Sequence, residues 1–141
     1  EHAAKRDARA GAVSARLDSE LSELDDDEAE AMRHELGVAE SGLETVVREA
    51  FALLDLIQFF TAGQDKEARA RAIPRGMRAR QAAGAVHTDM EKGFVAAEVT
   101  PWDALVEAGG YNAARERALQ RVEGRDYVVQ DGDVVTFRFT P

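Results

Sequence analysis

The sequence predicts an α+β fold in which a helical segment precedes a small domain built on a mixed β-sheet. Apolar residues recur at helical spacing in the first part, whereas short aromatic and β-branched runs bounded by Gly, Pro and Asp begin at Ile57. The acidic charge is also uneven: residues 1–60 hold 6 Lys and Arg against 15 Asp and Glu, while residues 61–141 hold 12 of each kind. We therefore predict two units with different tasks, residues 1–56 and residues 57–141.

The first unit contains three predicted helices. The first helix places Leu17, Leu21 and Leu24 on one face. The second and third begin at residue pairs of the capping-box type, Asp25–Glu28 and Ser41–Glu44, in which a side-chain oxygen accepts from the first turn. The third helix is strongly amphipathic, and its apolar face consists of Leu43, Val46, Val47, Ala50, Phe51 and Leu54.

The second unit alternates strands with helices, and an Asp131-Gly132 turn near its end is the strongest short-range signal for a hairpin. A helix packed on one face of a mixed sheet in this order is the β-grasp arrangement, and residues 57–141 are enough to bury its core. The predicted elements are strands at 57–61 and 68–73 joined by a turn at 62–65, a helix at 81–90, a strand at 94–99, short helices at 102–106 and 113–119, and a hairpin of strands 127–130 and 133–139.

Several chemistries are not expected from this chain. It has no cysteine, which excludes disulfides and thiolate sites, and its histidines (His2, His34 and His87) are too scattered to predict a metal site. The phosphate-binding pattern G-x-x-x-x-G-K-[ST] is absent from the 141 residues, so no catalytic residue and no cofactor are expected here. With no export signal and no apolar stretch of about 20 residues, we expect a cytoplasmic protein without a membrane partner.

Five short motifs follow one another along the second unit: Phe60-Thr61-Ala62-Gly63, Gln81-Ala82-Ala83-Gly84, His87-Thr88-Asp89, Glu91-Lys92-Gly93-Phe94 and Asp126-Tyr127-Val128-Val129-Gln130-Asp131-Gly132-Asp133. In this order they closely resemble the C-terminal end of the YchF family, the Obg-like ATPases. A lone Asp-Gly-Asp would be a weak signal, but the ordered set is highly specific, and the resemblance covers essentially the whole chain.

The resemblance implies a parent P-loop hydrolase that favours ATP over GTP, requires Mg²⁺ and associates with ribosomes. Residues 57–141 would be its TGS-type β-grasp domain, and residues 1–56 the helical end of its nucleotide-binding domain. Ser14 and Ala15 are similar to the last nucleotide-site motif of that domain, at the rim where the base binds. The chain departs from the family at Arg71, where an aromatic is usual, and at Ala96, where a basic residue is usual.

A cluster of cations in the second unit suggests RNA or ribosome binding. Six cations in fifteen residues face only one acid, Glu67, and such a stripe can neutralise several phosphates. Because it has no base-reading signature, it would recognise shape and backbone rather than sequence. The alternative is a solvated edge whose arginines balance the acidic helices of the first unit. The cations are Lys66, Arg69, Arg71, Arg75, Arg78 and Arg80.

A second hypothesis is a docking module that contacts its own P-loop domain and reports the nucleotide state of that domain. Phe59, Phe60, Trp102 and Tyr111 are candidates for the docking surface, although plain core packing is the more common role of such aromatics. A docking module would bind the separated nucleotide domain with little sensitivity to salt, whereas RNA binding would weaken steeply with salt.

His87 and Lys92 are the remaining candidate ligand contacts. At the end of the predicted helix they could meet a phosphate or another small ligand. The alternative for His87 is an architectural role, in which the imidazole bonds to backbone at a helix end.

Overall fold

A computed structural model describes residues 8–63 and 66–140, except for the side chain of Lys66. The chain divides into two compact units, Glu1–Leu54 and Asp55–Pro141. His2 and half of the predicted turn at 62–65, namely Gln64 and Asp65, lie outside the described part. The assignment of the first unit to a nucleotide-binding domain stays a prediction.

Residues 8–54, the described part of the first unit, contain three helices, α1 (Ala15–Leu21), α2 (Asp26–Glu35) and α3 (Gly42–Leu53). Both predicted caps are present. The Asp25 carboxylate accepts from the Glu28 amide at 2.9 Å. Ser41 and Glu44 form a reciprocal capping box, with the Ser41 amide donating to Glu44 Oε2 at 2.7 Å and the Glu44 amide donating to Ser41 Oγ at 3.2 Å. These contacts satisfy donors that a helix start otherwise leaves without partners.

Most of the apolar face predicted for α3 is exposed to solvent. Thr45 is the buried residue of this helix, and its hydroxyl donates to Glu40 at 2.9 Å. On the preceding helix, Ala29 is buried while Met32 is 45% exposed. The exposed stripe of α3 comprises Leu43, Val46, Val47, Ala50, Leu53 and Leu54.

The second unit is built on a five-stranded mixed sheet with strand order β2-β1-β5-β3-β4. The central β5 runs parallel to β1 and antiparallel to β3, and β2 lies at one edge. This arrangement confirms the predicted α+β class. The strands are β1 (Leu56–Gly63), β2 (Lys66–Pro74), β3 (Phe94–Pro101), β4 (Arg121–Glu123) and β5 (Asp133–Phe139), and the helices are α4 (Ala79–Val86), α5 (Thr88–Lys92), α6 (Trp102–Ala108) and α7 (Tyr111–Glu116).

The core of the second unit lies on one face of the sheet, against helix α4. Phe59 is fully buried, and its ring meets Phe137 edge-on at a centroid distance of 6.1 Å. Three small residues of the helix let it approach the strands closely. The core cluster is Ile57, Phe59, Ile73, Ala79, Ala82, Ala97, Val99, Val129 and Val135.

The predicted C-terminal hairpin is wrong. Residues 127–130 do not form a strand; Val128 makes only an isolated bridge with Arg78. The Asp131-Gly132 turn binds β1 instead. The backbone amide of Gln58 donates to Asp131 Oδ1 at 2.7 Å, and the Gly132 amide donates to the backbone carbonyl of Gln58 at 2.8 Å. Strand β5 therefore enters the sheet between β1 and β3, and no hairpin partner precedes it.

The structure differs from the prediction in two further places, the helix predicted over 81–90 and the edge of the sheet opposite β2. The helix predicted over 81–90 is interrupted at His87, whose extended backbone (φ −160°, ψ 140°) separates α4 from α5. Strand β4 was not predicted, since its three residues are too few to show a period. It pairs antiparallel with β3 and completes the sheet.

Candidate functional site

The basic segment follows edge strand β2 and the loop that leads to helix α4. Side chains alternate between the two faces of a strand, so Arg69 and Arg71 share a face with the buried Ile73. The alanines that alternate with them, at positions 68, 70 and 72, are exposed on the other face. The alternation anticipated from the sequence is therefore present, but the two arginines lie on the side of the sheet that carries the core.

Three of these arginines have acidic partners. Arg69 Nη2 lies 3.0 Å from Glu67, and Arg75 Nε lies 2.9 Å from Asp55. Arg78 Nη1 lies 2.7 Å from Asp126. All three pairs are largely exposed, so each is a weak contact that salt and competing phosphates can displace.

The remaining two arginines differ from these. Arg80 donates from Nε to the backbone carbonyl of Glu91 at 3.1 Å and thereby links α4 to α5. Arg71 is half-buried, and its Nε is buried with no hydrogen-bond partner within the described residues. The side chain of Lys66 is not described, so only the five arginines can be compared. Because their partners and exposure differ, they do not form one uniform stripe.

A cavity of about 500 Å³ opens on the core side of the sheet beside these arginines. Strands β1, β2 and β5, the last residue of α4 and the middle of α5 line it. Sequence reasoning missed this site, because its walls come from segments up to 78 residues apart (Thr61 to Phe139). The lining residues are Thr61, Ala62, Glu67, Arg69, Arg71, Val86, Met90, Val135, Thr136, Phe137 and Phe139.

His87 acts as a helix cap in the structure. Its Nδ1 accepts from the Asp89 amide at 3.2 Å, which satisfies a donor at the start of α5. Lys92 is exposed at the other end of this short helix and lines a separate cavity of about 360 Å³ with Asp89, Gly93 and Thr140. His87 does not line that cavity, so the two predicted ligand contacts are not brought into one site.

Ser14 and Ala15 lie at the start of α1. The Ser14 side chain accepts from the Leu17 amide at 3.4 Å and caps the helix. Ser14 also lines a cavity of about 270 Å³ within the first unit, together with Asp18 and Gly42. The Asp18 carboxylate accepts from the Gly42 amide at 3.1 Å, so it has a structural role there. The predicted contact of Ser14 and Ala15 with a nucleotide base stays a prediction.

Of the four aromatic residues considered for docking, Phe59 belongs to the core. Phe60 and Tyr111 are half-buried, and Trp102 is 54% exposed. The Tyr111 hydroxyl is buried without a hydrogen-bond partner among the described residues, and burial raises the pKa of this phenol. Trp102 is thus the one of the four that presents most of its surface to solvent.

A polar cluster that the sequence did not reveal joins Tyr127 to Asp133. The Tyr127 hydroxyl donates to Asp133 Oδ2 at 2.7 Å, and the backbone amide of Gln130 donates to the same oxygen at 2.8 Å. Arg121 lies over the Tyr127 ring, 5.7 Å from its centroid. Burial, and then the Asp133 carboxylate, raise the pKa of Tyr127 to about 12. The cluster fixes the loop that precedes β5.

The described part of the chain shows no cluster of three or more side chains suited to a metal ion. No helix there has the length and apolarity needed to cross a membrane.

Comparison with known proteins decides the family. A sequence profile of the YchF-GTPase_C family, described as "Protein of unknown function (DUF933)", matches residues 56–140. The chain belongs to this family. The resemblance inferred from the five motifs is thereby confirmed, and the YchF-GTPase_C match coincides closely with the second compact unit.

Several named proteins are similar in sequence to this YchF-GTPase_C member. The chain is 42% identical over 139 residues to the "Ribosome-binding ATPase YchF" of Bacillus subtilis and 47% identical over 139 residues to that of Haemophilus influenzae. Each match covers 99% of this chain but 38% of the relative, so the chain spans less than two-fifths of their length. It is also 42% identical over 126 residues to "Obg-like ATPase 1" of Homo sapiens, covering 89% of this chain and 31% of that protein.

A solved structure supports the same relationship. The Schizosaccharomyces pombe YchF GTPase superimposes with a TM-score of 0.71 at 32% sequence identity, over 84% of this chain and 31% of that one. The helices and mixed sheet described above therefore have the YchF fold.

Proposed function

We propose that this chain is the accessory recognition module of a ribosome-associated ATPase and binds ribosomal RNA through its basic segment. The observation that carries the proposal is the concentration of arginines on β2 and the loop after it, in a chain that aligns over 99% of its length with proteins named ribosome-binding ATPases. In the parent protein, a P-loop domain elsewhere would hold Mg²⁺ and ATP in preference to GTP, and the whole would act in the cytoplasm.

Arg75 and Arg78 are the best placed of these cations to meet a phosphate backbone. Both side chains are more than half exposed, and each is held near its position by one carboxylate. A phosphate group can replace that carboxylate at a guanidinium because both offer paired oxygens. Such contacts release condensed counterions, so binding should weaken steeply as salt rises.

The test is cosedimentation of the full chain with purified ribosomes over a series of salt concentrations. An Arg75→Gln/Arg78→Gln double variant should bind more weakly and lose part of its salt dependence. The matched control is Arg115→Gln/Arg117→Gln, which removes the same charge from exposed residues at the end of α7. If the two double variants bind ribosomes equally well, the basic segment is not the contact surface.

The apolar stripe of α3 favours, as a second candidate function, docking against the rest of the parent's nucleotide domain, of which α3 would form the helical end. Leu43 is 74% exposed and Val46 is 57% exposed, in a helix whose capped start shows that it is well formed. Apolar stripes of this kind usually mark a contact surface. A Leu43→Ser/Val46→Ser variant should lose binding to the separately produced remainder of the nucleotide domain, and the wild-type binding should be insensitive to salt. Unchanged binding by this variant would exclude the α3 stripe.

A further inference from the structure

The cavity beside β2 has the dimensions and lining of a small-molecule site. Its volume of about 500 Å³ falls within the range of pockets that hold drug-sized ligands, roughly 300–1,000 Å³. Much of the lining is apolar and comes from β5 and the helices; it consists of Val86, Met90, Val135, Phe137 and Phe139. Such walls would bury the apolar body of a ligand.

The charged wall of the cavity comes from β2. Arg69 is neutralised by Glu67, which accepts from both its Nε (3.1 Å) and its Nη2 (3.0 Å). Arg71 has no such partner, and its Nε is buried without a hydrogen bond within the described residues. A buried donor without an acceptor is uncommon in a folded protein and calls for a reason. One positive charge is therefore left uncompensated at the edge of an apolar cavity.

We propose that this cavity binds a small organic molecule with an apolar body and a single carboxylate, which pairs with Arg71. A planar guanidinium donates in parallel to both carboxylate oxygens, and because Arg71 is only half-buried and lines the cavity, its terminal nitrogens can present such a pair of donors. One uncompensated cation matches one negative charge, whereas a phosphate monoester carries nearly two. This inference is independent of ribosome binding, because it requires neither Arg75 nor Arg78.

Methionine methyl groups provide a direct probe of the site. The chain has three methionines, and Met90 alone of them lines the cavity. Met77 packs against the core but does not line the cavity, and Met32 lies on α2 in the first unit. In the full chain labelled with ¹³C-methyl methionine, titration with 4-phenylbutanoate should shift the Met90 signal and leave the other two unchanged. A Met90→Leu variant assigns the signal.

Charge recognition is tested with matched ligands and matched variants. The neutral 4-phenylbutanamide has the same shape and should bind at least about tenfold more weakly, and phenyl phosphate should bind no more tightly than the carboxylate. Arg71→Gln should weaken carboxylate binding by about tenfold or more. Arg117→Gln, which removes an exposed arginine that does not line the cavity, should leave the affinity unchanged.

Several results would overturn the proposal. These are an unmoved Met90 signal at saturating carboxylate, equal affinity for the acid and its amide, tighter binding of the phosphate, or an Arg71→Gln affinity equal to that of the wild type. The Met77 signal reports whether each variant keeps its core. If Arg71→Gln fails to fold, Val86→Phe narrows the cavity from α4, and undiminished binding by that variant would equally reject the site.

Discussion

Replacing Tyr127 by Phe tests the polar cluster that holds the loop before β5. The substitution keeps the ring and removes the hydroxyl that donates to Asp133 Oδ2 at 2.7 Å. Asp133 is only 2% exposed, so water cannot readily replace the lost donor. The Gln130 amide, 2.8 Å from the same oxygen, remains. The Asp133 carboxylate therefore loses one of its two hydrogen-bond donors and keeps the other.

The expected loss of stability is about 2 kcal/mol. A hydrogen bond to a charged group contributes about 1.5–3 kcal/mol, and the surviving Gln130 contact places this case in the lower half of that range. For a unit of this size, each 1 kcal/mol lowers the Tm by about 4–8 °C, so a drop of roughly 8–16 °C is expected. Urea unfolding followed by the fluorescence of Trp102, the only tryptophan, reports on the second unit specifically. Because the free energy of unfolding falls by about 2 kcal/mol for each 1 M of urea, the urea midpoint should fall by about 1 M.

Tyr111→Phe is the matched control because it removes a hydroxyl that is buried without a partner among the described residues. Removing such a group should cost nothing and can increase stability. If Tyr127→Phe and Tyr111→Phe unfold at the same urea concentration, the cluster around Asp133 does not stabilise the unit.

The pH dependence of Tyr127→Phe supplies a second measurement. In the folded chain the pKa of Tyr127 is raised to about 12, above the value of about 10 for an exposed phenol. The folded state therefore favours the neutral phenol, and its contribution is complete below pH 10 and is lost as the pH rises through 12. The stability gap between the wild type and the Phe variant should narrow over this interval. A gap that stays constant from pH 8 to 12 would contradict the assigned hydrogen bond.

Two further substitutions test local packing and capping. Gly93→Ala should destabilise the second unit by about 1–3 kcal/mol or more, because an added Cβ would clash with the Thr140 carbonyl oxygen. Gly124→Ala, whose added Cβ would meet nothing within 4 Å, should be near neutral, and equal urea midpoints for the two variants would refute the clash. Ser41→Ala should destabilise α3 by about 1 kcal/mol because it removes the acceptor for the Glu44 amide; circular dichroism during thermal unfolding should show the helix melting earlier, and an unchanged melt would show that the cap is dispensable.

The elements that the sequence predicted well are those governed by local chemistry. The helix starts at Asp25 and Ser41 depend on contacts three residues apart, and both formed as expected. The strand containing Arg69 and Arg71 depends on a two-residue alternation, which the structure also shows. The family itself was readable because five motifs occur in a fixed order, and no single one of them would have sufficed.

The elements that the sequence predicted wrongly depend on distant partners. An Asp-Gly turn between two β-rich runs normally indicates a hairpin, but Asp131 instead accepts from the amide of Gln58, which is 73 residues away. The break at His87 is equally hidden, since a histidine that caps a new helix has the same local sequence as one inside a continuous helix. The cavity beside β2 could not be found for the same reason, because three strands and two helices contribute to it.

The fold also separates two surfaces that appear as one basic stretch in the sequence. Strand alternation turns Arg69 and Arg71 toward the cavity, whereas Arg75 and Arg78 follow the strand and pair with exposed carboxylates. If both proposals hold, substitution of Arg75 and Arg78 should weaken ribosome binding without changing carboxylate affinity, and substitution of Arg71 should do the reverse. A single substitution that abolished both would instead indicate that the cations act as one surface, and the ribosome would then compete with the small molecule for the same site.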